Sequence, residues 1–184
     1  MNLRNLALVG ALCASAVAQT TVTFPNTITT GLSNSQYLSG ASGLDGPKVT
    51  PSINATTYDW WYFDAVSSDA SMGIVVVFYL STDLGFPFVP PGSALSVDVF
   101  ATFDDGSLVF LPLSDVPGDA GSATITTNGD GASGVWDGTG FQFQGAPDLS
   151  SYTVTIDNPT LGITGTLELK SVSIYLQSLL QRHS

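Results

Sequence analysis

The sequence predicts an all-β protein, built as an antiparallel β-sandwich or lipocalin-like barrel domain. Gly is abundant, with 19 residues, and every acidic residue except Glu168 is an aspartate. This composition is typical of turns rather than of helix faces. From Thr57 onward, strand-like runs alternate with turn clusters at the spacing of a sandwich or barrel. A chain of 184 residues fits one domain with a sizeable core.

The strands follow from runs of apolar and β-branched residues between turn clusters. We place them near 57–67, 73–82, 94–104, 107–113, 121–127, 132–137, 140–145, 151–157 and 163–170. Hairpin turns are indicated at Asp104-Asp105-Gly106, Asn128-Gly129-Asp130-Gly131 and Asp137-Gly138-Thr139-Gly140. The order of strands and turns is that of an antiparallel meander.

Three segments carry further structural information. The run from Gly73 to Leu80 is nearly all apolar, which predicts a strand covered on both faces. In strand 94–104, apolar residues alternate with a second face that carries Ser96, Asp98 and Phe100. Loop 83–92 is rich in Pro and Phe and cannot be a central strand, so we expect a lid over a cavity or a plug against another domain.

The two ends of the chain differ from the middle. Residues 1–18 read as a secretory signal peptide, with Arg4 as the basic region and Ala16-Val17-Ala18 as the cleavage site. We therefore expect the protein in the secretory pathway or outside the cell, without Cys13, its single cysteine. Residues 19–56 are predicted to be an extended N-terminal arm on the domain 57–170. Residues 171–184 are an atypical, helix-prone tail, which could form a short helix or result from an error in the gene model.

The charge and the missing residue types exclude several classes of function. The net charge of −11 makes nucleic acid and anionic membranes poor partners, and the apolar run of the leader is too short to span a bilayer. Between Gln19 and Gln181 there is neither His nor Cys, which removes the common nucleophiles, imidazole bases and zinc sites. We predict no metal and no cofactor.

The aromatic segment Tyr58–Asp64 is the strongest functional signal in the chain. In a strand, Asp59, Trp61 and Phe63 face one way, while Tyr58, Trp60, Tyr62 and Asp64 face the other. Either set could form an aromatic wall, and the competing interpretation is that the rings form core and the carboxylates bind backbone. Asp59 and Asp64 have opposite parity, which disfavours a glycosidase pair.

This segment resembles the opening strands of the fungal Diels-Alderases, which belong with hydroxyneurosporene-synthase-like, lipocalin-related proteins. The family pattern is an acidic residue, two aromatics and then Phe-Asp-Ala, and it stands here as Asp59-Trp60-Trp61-Tyr62-Phe63-Asp64-Ala65, with Asp in place of the commoner Glu. The runs Leu44-Asp45-Gly46-Pro47-Lys48 and Gly165-Thr166-Leu167-Glu168-Leu169 resemble two further landmarks of the family.

The resemblance implies a two-domain protein with a substrate pocket between an N-terminal β-sandwich and a C-terminal lipocalin-like barrel. This chain matches the first domain only, so a second domain is expected but absent here. Family members catalyse intramolecular [4+2] cycloaddition of a polyene polyketide, often with a tetramate or pyrrolinone head, to decalin or macrocycle-fused products in secondary metabolism. The implied partner of this chain is such a small-molecule polyene.

The residues of the chain suit that chemistry, because a cycloaddition needs a folded substrate and a hydrogen-bonded carbonyl rather than a nucleophile. We therefore consider Asp59, Asp64 and Tyr79 as catalytic candidates. Substrate contacts are expected from aromatic and acidic strand residues: Trp60, Trp61, Tyr62, Phe63, Asp98 and Phe100. Asn54 heads the glycosylation sequon Asn54-Ala55-Thr56.

Two other classes of function remain open. One is a non-catalytic secreted module that binds an apolar ligand on the aromatic strand and loop 83–92. The other is a polyene hydratase or isomerase, which would require a placed acid with a raised pKa.

Overall fold

The structure is a computed structural model that describes residues 19–36, 43–87, 89, 91–112 and 120–172. Its regular elements in these residues are all strands: β1 (Thr20–Pro25), β2 (Asn34–Ser35), β3 (Val49–Thr50), β4 (Tyr58–Val66), β5 (Gly73–Ser81), β6 (Leu95–Thr102), β7 (Leu108–Pro112), β8 (Ser122–Asn128), β9 (Gly131–Trp136), β10 (Phe141–Gly145), β11 (Ser151–Asn158) and β12 (Ile163–Lys170). The predicted signal peptide and the helix-prone tail lie outside the described residues. Within those residues, no helix could cross a membrane.

The strands form two large antiparallel sheets and one small one. The six-stranded sheet has the order β1-β8-β9-β10-β11-β12, and the four-stranded sheet has the order β4-β5-β6-β7. Strands β2 and β3 pair in a short third sheet. Neither large sheet closes on itself in the described residues, so the architecture is an open sandwich and not a barrel.

The predicted strands and hairpins are confirmed, because turn residues mark the ends of each strand. At the hairpin between β6 and β7, Gly106 has φ +80°, a backbone conformation that L side chains disfavour. Asp105 caps the same turn, since its Oδ1 accepts from the Ser107 amide at 2.8 Å. The sequence thus fixes this hairpin locally, before any packing is considered.

The N-terminal arm contributes a strand to the main sheet. Strand β1 pairs antiparallel with β8, from Thr20 opposite Thr127 to Pro25 opposite Ser122. Phe24 is completely buried. The arm therefore begins as an edge strand of the sandwich.

The core lies between the two large sheets and is rich in aromatic rings. Trp61 of β4 packs edge-on against Trp136 of β9, with ring centroids 6.0 Å apart. Phe78 of β5 lies 5.1 Å from Phe143 of β10. Aromatic contacts of this kind join the sheets at several points, and each adds about 0.5–1.5 kcal/mol beyond the burial of apolar area.

The outer face of the four-stranded sheet is the face that points away from this core. Strand register sets its side chains in rows across the sheet. Tyr62, Val77 and Asp98 form one row, and Trp60, Tyr79 and Ser96 form the row beside it. The run 73–80 was predicted to be covered on both faces, and residues 76–80 are buried because Phe86 and Val89 pack over this outer face, whereas residues 73–75 are partly exposed.

Candidate functional site

The outer face of the four-stranded sheet holds a cavity of about 520 Å³, which we call the aromatic groove. Its lining is mostly aromatic and aliphatic: Trp60, Tyr62, Val75, Val77, Tyr79, Phe86, Asp98, Phe100 and Phe110. A concave apolar surface with few polar groups is typical of small-molecule sites.

Two groups of stacked rings form the sides of the aromatic groove. On one side, Trp60 stacks on Tyr58 at 5.3 Å and contacts Phe86 at 5.1 Å. On the other side, Phe100 of β6 stacks on Phe110 of β7 at 4.5 Å. Because each group is held by its neighbours, the rings form fixed walls around the aliphatic floor of β5.

Of the described residues of loop 83–92, Phe86 lines the aromatic groove. The Phe86 amide donates to the Thr82 carbonyl at 2.8 Å, and the Val89 amide donates to the Phe86 carbonyl at 3.0 Å. Val89 is buried against Val77 and Tyr79. Phe86 and Val89 therefore pack on the sheet beside the groove. Whether the loop acts as a lid over the groove or as a plug against another domain stays a prediction.

The polar groups of the aromatic groove are concentrated near Tyr79 and Asp98. Asp98 is only 2% exposed although it lies on the outer face. Burial, and secondly the charge of Asp98, raise the pKa of Tyr79 to about 12. The Tyr79 hydroxyl therefore keeps its proton at neutral pH and can donate a hydrogen bond to a ligand.

Ser96 was not among the predicted site residues, and it lies in register with Tyr79. Its side chain is 2% exposed, and its Oγ has no hydrogen-bond partner in the described part of the chain. Alternation with Asp98 and Phe100 was the sequence signal that could have identified it. Ser96 is not itself in the lining, whereas Val75, Val77, Phe86 and Phe110 are lining residues absent from the predicted site residues.

Asp64 and Asp59 lie outside the aromatic groove. Asp64 is exposed on the same outer face, two residues after Tyr62 along β4. Asp59 points the other way, where its Oδ2 accepts from the Lys48 amide at 2.6 Å. Burial raises the pKa of Asp59. It lines a second cavity of about 380 Å³, which meets the groove at Trp60.

The structure does not bring Trp61 and Phe63 to the groove, which corrects their prediction as substrate contacts. Both are 7% exposed and pack in the core between the sheets. The Trp61 indole N–H donates to the Asp45 carbonyl at 2.8 Å. Of the two faces considered for β4, the face with Trp60 and Tyr62 is therefore the one open to a ligand.

The run Leu44–Lys48 forms a structural clasp rather than a reactive site. The Tyr152 hydroxyl donates to the Asp45 carboxylate. The Lys48 ammonium donates to three backbone carbonyls, those of Gly43, Leu44 and Gly46, at 2.5–3.1 Å. We call residues 43–48 the clasp. The Lys48 bonds hold the clasp together, while the bonds of Asp45 to Tyr152 of β11 and Trp61 of β4 join it to both large sheets.

The sequon at Asn54 forms a turn before β4. The Asn54 Oδ1 accepts from the amides of Thr56 and Thr57, both at 3.0 Å. The side chain is half-buried, and Thr56 is exposed. In the described residues, no group of three or more His, Cys, Asp or Glu side chains could hold a metal ion.

Comparison with known proteins decides the family of the chain. A family model described as Diels-Alderase-like matches residues 19–181. The chain belongs to the Diels-Alderase-like family. The resemblance predicted from Asp59–Ala65 and the two flanking landmarks is thereby confirmed.

Several curated proteins are similar to this member of the Diels-Alderase-like family. Quinolone epoxide rearrangement protein asqO of Emericella nidulans is 36% identical over 83% of the chain and 40% of its own length. Quinolone epoxide rearrangement protein penF of Penicillium thymicola is 38% identical over 83% of the chain and 42% of its own length. Diels-Alderase ucsH of Acremonium sp is 32% identical over 58% of the chain and 26% of its own length. The chain thus spans about two fifths of the length of the first two relatives.

A solved structure has the same fold. The crystal structure of CghA with Sch210972 superposes with a TM-score of 0.64 at 22% identity, over 84% of this chain and 40% of that one. The likeness confirms the all-β fold.

Proposed function

We propose that this chain is the N-terminal portion of a cofactor-independent cyclase that uses the aromatic groove to fold a polyene substrate. The proposed reaction is an intramolecular [4+2] cycloaddition that forms a decalin or macrocycle-fused ring on a polyketide–amino acid intermediate. The observation that carries the proposal is the groove itself, an apolar cavity of about 520 Å³ on a chain of the Diels-Alderase-like family.

The groove offers what this reaction needs. In the cycloaddition a diene and an alkene form two new carbon–carbon bonds, and no atom or proton is gained or lost. The ring walls of Trp60 and Phe110 restrict a flexible chain to folded, near-attack conformers. The neutral Tyr79 hydroxyl donates to a carbonyl that conjugates with the alkene, which stabilises charge that develops there.

Several aromatic rings of the groove are half-exposed, which supports the proposal that a second domain completes the site. Trp60, Tyr62 and Phe110 are 42%, 54% and 56% exposed. Contiguous exposed aromatic surface of this kind marks a site for a ligand or another domain. We therefore retain the prediction of a second, lipocalin-like domain that covers the open side of the groove.

A second candidate reaction is the rearrangement of an epoxide. It is favoured by the names of asqO and penF, which match 83% of the chain. In this reaction an epoxide C–O bond breaks while the oxygen accepts a hydrogen bond, for which the hydroxyls of Tyr79 and Tyr62 are donors in the groove. A neighbouring group then migrates with its bonding electrons to the electron-poor carbon, the carbon that it leaves forms a C=O bond with the oxygen, and the product is again an isomer.

The experiment is incubation of the full chain with a linear polyene carrying a tetramate head, followed by mass spectrometry and NMR of the product. The proposed function predicts an isomer of equal mass with fewer alkenes. A product heavier by one water would indicate a hydratase. Unchanged substrate that co-purifies with the protein, even when the second domain of a relative is supplied, would indicate a binding module and contradict the cyclase.

We also propose that the protein follows the secretory pathway and carries sugar at Asn54. The predicted leader before Gln19 and the surface turn at Thr56 support this. Intact-mass analysis of protein from a eukaryotic host should show an N-terminus at Gln19 and a mass shift that Asn54→Gln abolishes. A secreted product that retains Met1 would contradict the cleavage before Gln19. A product without the mass shift would contradict glycosylation at Asn54.

A further inference from the structure

We propose that the aromatic groove is selective for positive charge and binds an apolar organic cation, such as a substituted ammonium, more tightly than its neutral isostere. The inference rests on the proposed function, because it concerns the same groove. It adds a property of the ligand that apolar lining alone does not specify.

The charges that reach the outer face of the four-stranded sheet are negative. Asp98 lies in the lining of the groove, and Asp64 lies on the same face, opposite Val75. A carboxylate beside an apolar cavity attracts a ligand that brings a hydrogen-bond donor or a positive charge. A ligand with a carboxylate would instead be repelled by both residues.

The cations of the described residues lie elsewhere. The Lys48 ammonium is engaged by three carbonyls of the clasp. Lys170 ends β12 in the six-stranded sheet. Within the described part of the chain, the groove lining therefore contains a carboxylate and no cationic side chain.

The rings of the groove add a second, independent attraction. Aromatic faces carry a negative quadrupole and hold substituted ammonium groups within about 6 Å of the ring centroid. Trp60 and Tyr62 on one side and Phe100 and Phe110 on the other offer such faces around Asp98. The chain's net charge of −11 also favours the approach of cations.

This charge preference has a consequence for chemistry. A substrate that becomes electron-poor at carbon while it isomerises would be stabilised by the same rings and by Asp98. This stabilisation applies to an isomerisation that builds up positive charge on carbon, such as the epoxide rearrangement considered above.

The test compares two probes of the same shape on the full chain. Benzyltrimethylammonium and neopentylbenzene differ in one central atom, a charged nitrogen in the first and a neutral carbon in the second. Calorimetry or quenching of Trp fluorescence gives the Kd of each. We expect the ammonium to bind about tenfold more tightly. A ratio of this size is typical of a cation–π contact that is partly desolvated and lies near a carboxylate.

Variants assign the selectivity to the groove. Asp98→Asn should reduce the ratio of the two Kd values severalfold. The control Asp157→Asn removes the same charge from an exposed position on β11 and should leave the ratio unchanged. If Asp98→Asn does not fold, Asp64→Asn tests whether the other carboxylate on this face contributes to the selectivity. The ratio of the two Kd values in the wild type still decides the proposal.

The outcomes separate this inference from the proposed function. Equal binding of both probes, or tighter binding of neopentylbenzene, would overturn charge selectivity and leave the groove as a site for apolar ligands. Binding of neither probe would overturn both the inference and the role of the groove.

Discussion

At the scale of single residues, the neighbouring Trp60 and Trp61 have opposite roles. Trp60 is 42% exposed and lines the groove, whereas Trp61 is 7% exposed and contacts Trp136 in the core. Strand alternation alone produces this division. The sequence predicted the two faces of β4 but not which one is core, because that depends on which sheet packs against it.

Substituting each tryptophan by Ala should separate binding from stability. Trp61→Ala should cost about 3–5 kcal/mol of unfolding free energy, since it removes a large buried ring. Trp60→Ala should cost about 1 kcal/mol, from lost stacking on Tyr58 and Phe86, and should weaken binding of an apolar ligand. Urea unfolding and ligand titration measure both. Equal losses of stability in the two variants would contradict the assignment of the faces.

Asp59 should give a distinct pH dependence of stability. Its pKa is raised by burial above the ordinary value of 3.8, so the folded state holds the proton more tightly than the unfolded state. The contribution of Asp59 is therefore fully present below pH 3.8 and lost as pH rises through the raised pKa. Relative to Asp59→Asn, the wild type should lose stability over that window.

Asp105 provides the matched control for this titration. Hydrogen bonds from Ser107 lower its pKa, so its contribution is present above pH 3.8 and lost as pH falls through the lowered pKa. Unfolding of Asp59→Asn and Asp105→Asn at a series of pH values should therefore show slopes of opposite sign relative to wild type. Slopes of the same sign would show that Asp59 is not held in a desolvated site.

At the scale of elements, the clasp joins the N-terminal arm to the sandwich. Tyr152→Phe removes the hydroxyl that binds the Asp45 carboxylate, which costs about 1–3 kcal/mol for a partly buried acceptor. Local opening of the clasp should then expose the Lys48–Val49 bond, and tryptic cleavage there should accelerate by roughly tenfold. Tyr62→Phe, which loses an exposed hydroxyl in the groove, should cleave at the wild-type rate. Identical rates in both variants would argue against the clasp.

Loop 83–92 should control access to the groove through Gly85. A Cβ at this position would lie 2.4 Å from the Thr57 carbonyl oxygen, so the backbone must shift. Gly85→Ala should therefore displace Phe86 from Trp60 and weaken binding of an apolar ligand severalfold. Gly121→Ala, where a Cβ meets open space, is the control and should bind as wild type does. Unchanged binding in Gly85→Ala would show that the loop does not shape the groove.

The strands were more predictable than the loops and the arm. Local patterns, such as the turn at Gly106 and the alternation from Leu95 to Val99, act over a few residues and can be read directly. The pairing of β1 with β8 and the contact of Tyr152 with Asp45 join residues that are distant in sequence. No local pattern encodes such contacts, so the clasp and the ring contact of Phe86 with Trp60 emerged only from the structure.

At the scale of the whole molecule, two large sheets form a sandwich. Their inner faces pack together as the core, and the outer face of the four-stranded sheet remains open. The inner faces of both sheets share the aromatic core, while the outer face of the four-stranded sheet carries the groove. The sequence predicted the all-β class, and the family match supports the kind of substrate proposed. The position of the site follows from the packing of the sheets, since that decides which aromatic face remains accessible.

Photolabelling of the full chain with an apolar polyene that carries a diazirine tests most directly whether the aromatic groove is the ligand site. After irradiation and digestion, mass spectrometry locates the adducts. We expect adducts on β4 at Trp60 or Tyr62 and on β6 or β7 at Phe100 or Phe110, and excess unlabelled polyene should prevent them. Adducts on the six-stranded sheet alone, or adducts that competitor does not reduce, would show that the aromatic groove is not the ligand site.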